Sequence, residues 1–162
     1  MILKEPFFNK ENSITITNNL LLELIKESLA KDIDFSFQAT GSSMYPFIRD
    51  NDTITVSSLK RIRLVTGDVV AFVKDNNNLI VHRIIGQKGN SYITKGDNCS
   101  ASDGFIEITN ILGKIIAVKR NNKNIKLGLG PEKLFISFFI NKFPKPVLSI
   151  FWKLIPSFIK HY

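Results

Sequence analysis

Cysteine is nearly absent from the chain: Cys99 stands alone in 162 residues, which excludes an internal disulfide framework and any site built on several cysteines. Histidine is almost as scarce, with only His82 and His161, so neither a zinc centre nor any other metal or cofactor is expected. No apolar run approaches the roughly 20 residues that a membrane-spanning helix needs. The N-terminal stretch lacks the cationic-then-apolar layout of a secretory leader. Acidic residues are missing from one region above all. From Lys114 to Tyr162 ten Lys and Arg face a single acid, Glu132, so this segment carries +9 while the rest of a chain of net charge +8 carries −1. The basicity is therefore a property of the C-terminal part. Because it is interleaved with Phe, Leu, Ile and Trp, it favours an anionic membrane surface over nucleic acid, and no nucleic-acid partner is expected.

What is present in quantity is apolar surface. A hydrophobic content of 44%, including 13 Phe, excludes a disordered chain and is enough for the core of one ordinary domain. Residues 1–17 show no clear period. The segment NNLLLELIKESLAKD then places Leu21, Leu24, Ile25 and Leu29 at helical spacing, with Glu23, Lys26 and Glu27 between them, which predicts an amphipathic surface helix. From Asp34 the pattern changes to short β-like runs bounded by Gly, Asn or Asp: FSFQAT, DTITV, GDVVAFV, NLIVHRII, SYITKG and NILGKIIAVKR. The stretch Lys74 to Asn78 reads as an exposed turn between two of them.

The resulting division is an N-terminal helical segment over 1–33, a mainly β, curved antiparallel domain over 34–126, and a basic, aromatic tail over 127–162. In the tail Pro144, Pro146 and Pro156 break any continuous helix into short amphipathic pieces. Lys142, Lys145, Lys153 and Lys160 would snorkel from them, with Trp152 at an interface. The tail from residue 133 onward is thus expected to meet a membrane surface, giving a peripheral location. The plainer alternatives are that it covers the β-domain or that the protein is a soluble variant.

The chemistry concentrates in TGSSMYPFIRDNDTITV, from Thr40 to Val56. Gly41 and Ser42 open a tight turn, Ser43 follows, and Met44, Pro46, Phe47 and Ile48 supply apolar anchors. A hydroxyl needs a base before it becomes a nucleophile, and His82 is the one histidine among the β-like runs. Alternation puts Ile80, His82 and Ile84 on one strand face and Arg83, read as a salt-bridge partner, on the other. A third group must fix the imidazole, and Asp97 or Asp103 can each do so if the following hairpin folds back. Backbone N–H groups around Ser43 would bind an oxyanion, and Phe35, Phe37, Ala39 and Ile80 lie where they could line a substrate groove. Gly67-Asp68 and Gly96-Asp97 read first as turns, Lys95 as a solvated lysine and Cys99 as incidental. On residues alone, Ser43 and His82 are as readily a turn serine and a structural histidine.

Five segments taken together, GSSMYPFIRDND, TGDVVAFV, LIVHRII, YITKGDNCSASDG and ILGKIIAVKR, resemble the successive boxes of the type I signal peptidase family over about residues 38 to 120. With His82-Arg83 in place of a lysine, the chain is similar to the Ser-His branch found in the endoplasmic reticulum, in archaea and in some Gram-positive bacteria. The resemblance implies a serine endopeptidase that cuts signal or leader peptides after small residues. Its partner would be a peptide or preprotein substrate. It also implies Ser43 as nucleophile, His82 as base and Asp103 as the completing carboxylate, with Asp97, Gly41, Ser42 and Met44 in support. The chain departs from the family in having no adequate anchor helix at either end, and Gly41 cannot supply the oxyanion hydroxyl that some relatives use. Two other functions fit less of the chain. A self-cleaving repressor would share the β-fold but use lysine as its base and need a larger N-terminal domain. A non-catalytic membrane-surface module would need only the tail.

Overall fold

The computed structural model describes residues 18–60, 62–75 and 77–143. Its first element is helix α1, Asn18–Ala30, whose Leu22, Ile25 and Leu29 are buried at helical spacing while Glu23, Lys26 and Glu27 stay exposed. The helix ends in a Schellman arrangement: Asp32 takes a left-handed φ of 60°, Asp32 N–H donates to Leu29 O and Ile33 N–H to Ser28 O. Of the expected stripe Ile25 and Leu29 are buried, and Leu21 is half-buried against the core. Leu24, placed on the inner face by its spacing, is 37% exposed, because it lies about 100° around the helix from the central Ile25 and Leu22 takes its place.

Among the described residues eight strands follow: β1 Phe35–Gln38, β2 Thr53–Ser57, β3 Val69–Lys74, β4 Asn78–Lys88, β5 Ser91–Lys95, β6 Gly104–Glu107, β7 Ile111–Arg120 and β8 Lys123–Asn124. They form one antiparallel sheet in the order β1-β2-β7-β3-β4-β5-β6, with β8 added to β7. This is the expected mainly β, curved fold. Register irregularities at Thr55/Val56, Ala71/Phe72 and Ile84/Gly86 bend the strands and raise their twist. The sheet is apolar on both sides of β3. Val69 and Ala71 join Ile25 and Leu29 of α1 in one core, while Val70 and Phe72 face Ile84, Tyr92 and Ile106 in a second. Every expected run is a strand, and the 74–78 turn is a hairpin with positive φ at Asp75 and Asn77. The additions are β6, in which only Ile106 is buried, and the two-residue β8.

The last described element is helix α2, Lys133–Lys142. Its inner face, Ile136 and Ile140, packs with Phe47 in a third apolar cluster. Three polar contacts fasten it to the sheet side: Ser137 Oγ to Ile84 O at 3.1 Å, Lys133 Nζ to Asp68 at 2.5 Å, and Lys95 Nζ to Ile140 O at 2.9 Å. The third corrects the reading of Lys95 as solvated. It is 7% exposed, because α2 arrives from distant sequence to cover it, and its ammonium caps the last turn of that helix. Lys95→Met, which keeps the volume and loses the charged hydrogen bond, should cost about 2 kcal/mol in chemical denaturation. The helices expected beyond Phe143 lie outside the described residues, as does the segment before Asn18.

Candidate active site

The serine turn is held by what surrounds it. Met44, Phe47 and Ile48 are buried, and Phe47 N–H and Ile48 N–H both donate to Met44 O, so the chain after Ser43 is wound into a fixed turn. Gly41 takes φ +88°, which a glycine adopts without strain, and its N–H donates to Asp50 Oδ1 at 2.8 Å. Ser42 is exposed and Ser43 half-buried.

On β4, His82 is mostly buried, with its ring edge-on to Phe72. Its Nδ1 lies 2.8 Å from Asp103 Oδ2. A carboxylate only accepts, so the neutral imidazole carries its proton on Nδ1 and leaves Nε2 as the basic nitrogen. Asp103 is gripped at three points. Its N–H donates to Thr94 O at 2.8 Å, Thr94 Oγ1 donates to its Oδ2 at 2.8 Å, and Lys74 Nζ donates to its carbonyl at 2.7 Å. Burial pushes the Asp103 carboxyl up, but the His82 hydrogen bond and charge, the Thr94 hydroxyl and Lys74 together outweigh it and hold the carboxyl below its ordinary value.

That direction fixes a pH dependence. A depressed carboxyl contributes stability that is fully present above its unfolded value of about 3.9 and is lost as pH falls through the lower folded value. Thr94→Val removes one donor, so acid unfolding should begin at higher pH, and Thr94→Ser should restore the wild-type limb. An acid limb that did not move would show that the hydroxyl is a packing group only.

The turn after β5 joins the two halves. A Cβ on Gly96 would lie 2.8 Å from Ser43 O, 2.9 Å from His82 Nε2 and 2.6 Å from Cys99 Sγ, so all three crowd one Cα that must stay bare. Asn98 N–H donates to Ser43 O at 2.7 Å and Asn98 Nδ2 to Ser42 O at 3.1 Å, tying the serine turn to this loop. Between them, Asp97 is fully buried in a two-bond pair with Arg83, Nε to Oδ1 at 2.8 Å and Nη2 to Oδ2 at 2.7 Å. Burial lifts the Asp97 carboxyl above its ordinary value, with the Arg83 charge and hydrogen bonds opposing it.

Ser43 and His82 line a common cleft of about 430 Å³. Its walls are the segment from Phe37 to Gly41 on one side and Leu79 to His82 on the other, with Leu21 of α1 and Ile54 among the apolar residues between. Among the described residues both walls have open backbone edges: β1 pairs only with β2, and β5 joins β4 only from Arg83 onward, so the first half of β4 pairs with β3 alone.

Of the residues singled out by sequence, Gly41, Ser43, Met44 and His82 line this cleft, Met44 being also part of the core, and Asp103 reaches it only through His82 Nδ1. Ser42 is exposed outside the lining, and Asp97 is buried against Arg83. Phe37, Ala39 and Ile80 line the cleft, whereas Phe35 packs against the α1 core. Sequence reading missed Thr94, Asn98 and the packing role of Gly96. Thr94 carried one usable signal, since it alternates with the buried Tyr92 and so had to be a polar group turned inward. Gly96 has no left-handed φ among the positive-φ glycines, and only the fold reveals why it is small.

Comparison with known proteins gives a family match: the family model described as Peptidase S24-like covers residues 8–116. No curated protein matches the chain.

Proposed function

Since the chain belongs to the Peptidase S24-like family, a family of serine peptidases and self-cleaving repressors, we propose that it is a serine endopeptidase of the signal-peptidase kind, cutting signal or leader peptides after small residues. The observation that carries this reading is the His82–Asp103 pair, with its basic nitrogen turned to the loop that holds Ser43. In this reading Ser43 Oγ attacks the scissile carbonyl while His82 Nε2 takes its proton, and the Asp103 carboxylate stabilises the imidazolium that forms. The tetrahedral oxyanion is met by backbone N–H groups around Ser43. The proton passes to the leaving amine, and a water activated by the same nitrogen then releases the acyl group from Ser43. An extended substrate adds a strand between the open edge of β1 and the first half of β4.

The test is a synthetic precursor with an apolar segment ending in Ala-x-Ala, incubated with the full chain. Fragment masses are expected to place the cut directly after the final Ala. Replacing that Ala by Phe should remove the product. A cut at unrelated positions would overturn the small-residue assignment. The family match also admits a protein that cleaves only itself. In that case the precursor stays whole while the intact mass of the chain falls with time.

A further inference from the structure

Helix α2 has two apolar faces, and the fold uses one. Ile136 and Ile140 are buried, whereas Leu134, Phe135 and Phe138 are each 56% exposed. Leu134, Phe138 and Lys142 follow one another at four-residue steps, and the Lys142 ammonium sits 5.3 Å from the Phe138 ring centroid at the end of this row. Three large apolar side chains in two turns, bordered by a cation, cost solvation free energy unless something covers them.

We propose that this outer face of α2 docks on an anionic lipid surface. Charge decides between the candidate covers. From Lys133 to Tyr162 the chain carries five lysines and no acidic residue. Folding residues 144–162 back over the face would gather Lys142, Lys145, Lys153 and Lys160 with no counter-charge among them, and that segment has its own Phe151, Trp152 and Phe158 to cover. A second copy of the same face brings like charge against like. An anionic bilayer receives the rings at its acyl boundary and the lysines at its headgroups, so one partner satisfies both. The helix suits a surface position, since no helix among the described residues is long and apolar enough to cross a membrane. The inner-face contacts from Lys95, Ser137 and Lys133 make α2 a rigid mount, so docking would hold the catalytic domain at the bilayer where a membrane-delivered peptide emerges.

The experiment is flotation of the full chain with phosphatidylcholine vesicles, with and without phosphatidylglycerol, for wild type and for Phe135→Ser/Phe138→Ser. Cleavage of a soluble precursor peptide is measured alongside. Wild type should float only with the anionic vesicles and release as salt rises. The double variant should bind on the order of tenfold or more weakly while cutting the soluble peptide at the wild-type rate, because both rings are exposed. Equal binding by wild type and variant would overturn the proposal by assigning attachment to residues 144–162 alone. Self-association through this face without vesicle binding would overturn it in favour of a second copy. The two readouts keep the proposals apart. A chain that cuts and does not float refutes this inference only, and a chain that floats and does not cut refutes the enzymatic reading only.

Discussion

Replacing His82 by Gln is expected to lower precursor cleavage by about 10⁴-fold or more, the loss typical of a serine peptidase without its base. The fold should persist, because the ring lies at the wall of the cleft with one edge contact to Phe72 and one partner, Asp103. Asp103→Asn should also be deeply impaired, for a different reason. An amide offers N–H to Nδ1 and turns the imidazole to the tautomer whose Nε2 is already protonated, so the base is present but blocked. Lys95→Met separates this chemistry from the lysine alternative. Lys95 Nζ is engaged by Ile140 O under α2, so its removal should cost stability while leaving kcat within a fewfold of wild type. An active His82→Gln beside an inactive, folded Lys95→Met would reverse the assignment of the base.

Asp97→Asn and Arg83→Met should be the most destabilising single changes. Both side chains are completely buried, and Arg83 also donates from Nη1 to Gly67 O at 2.8 Å and to Gly128 O at 2.7 Å, with its guanidinium 5.4 Å from the Phe47 ring centroid. Removing one partner strands the other's charge in the interior, at a cost of about 3–5 kcal/mol. For a chain of this size that is roughly a 10 °C fall in Tm. The double replacement Arg83→Met/Asp97→Met should cost less than the sum of the two single changes, since no charge is then left unpaired. Activity should fall further than stability alone accounts for. Asp97 sits between Gly96, against which His82 Nε2 packs, and Asn98, which holds Ser43 O, so a loosened loop displaces both reacting groups. Single variants that melt with the wild type would show that the pair is not a structural hub.

Much of the architecture was legible because its strands are short, alternating and closed by Gly, Asn or Asp. Ile54 and Val56 point inward from DTITV, and β3 is a continuous apolar run because it is covered on both faces. β6 was not legible: Ser-Asp-Gly, whose glycine opens the strand, reads as a loop, and one buried residue leaves no period to see. That strand decides the site. Pairing of Thr94 with Gly104 sets Asp103 beside Thr94 and under His82, so the choice between Asp97 and Asp103 could be drawn from likeness to a family but not from local pattern. Lys95 and Leu24 were misread, and the packing role of Gly96 within its expected turn was missed, for one shared reason, since each is defined by a neighbour distant in sequence. Ile140 covers the lysine, Ser43 and His82 crowd the glycine, and the sheet selects which stripe of α1 it accepts.

The central claim is that Ser43 is a nucleophile served by His82. The measurement that bears on it most directly is mass analysis of a precursor peptide after incubation with wild type or with Ser43→Ala, with the fold of the variant checked by its melting temperature. A defined product from wild type, and none from a Ser43→Ala protein that melts normally, is the predicted result. An unchanged product from Ser43→Ala would contradict the account and require a different nucleophile in the same cleft.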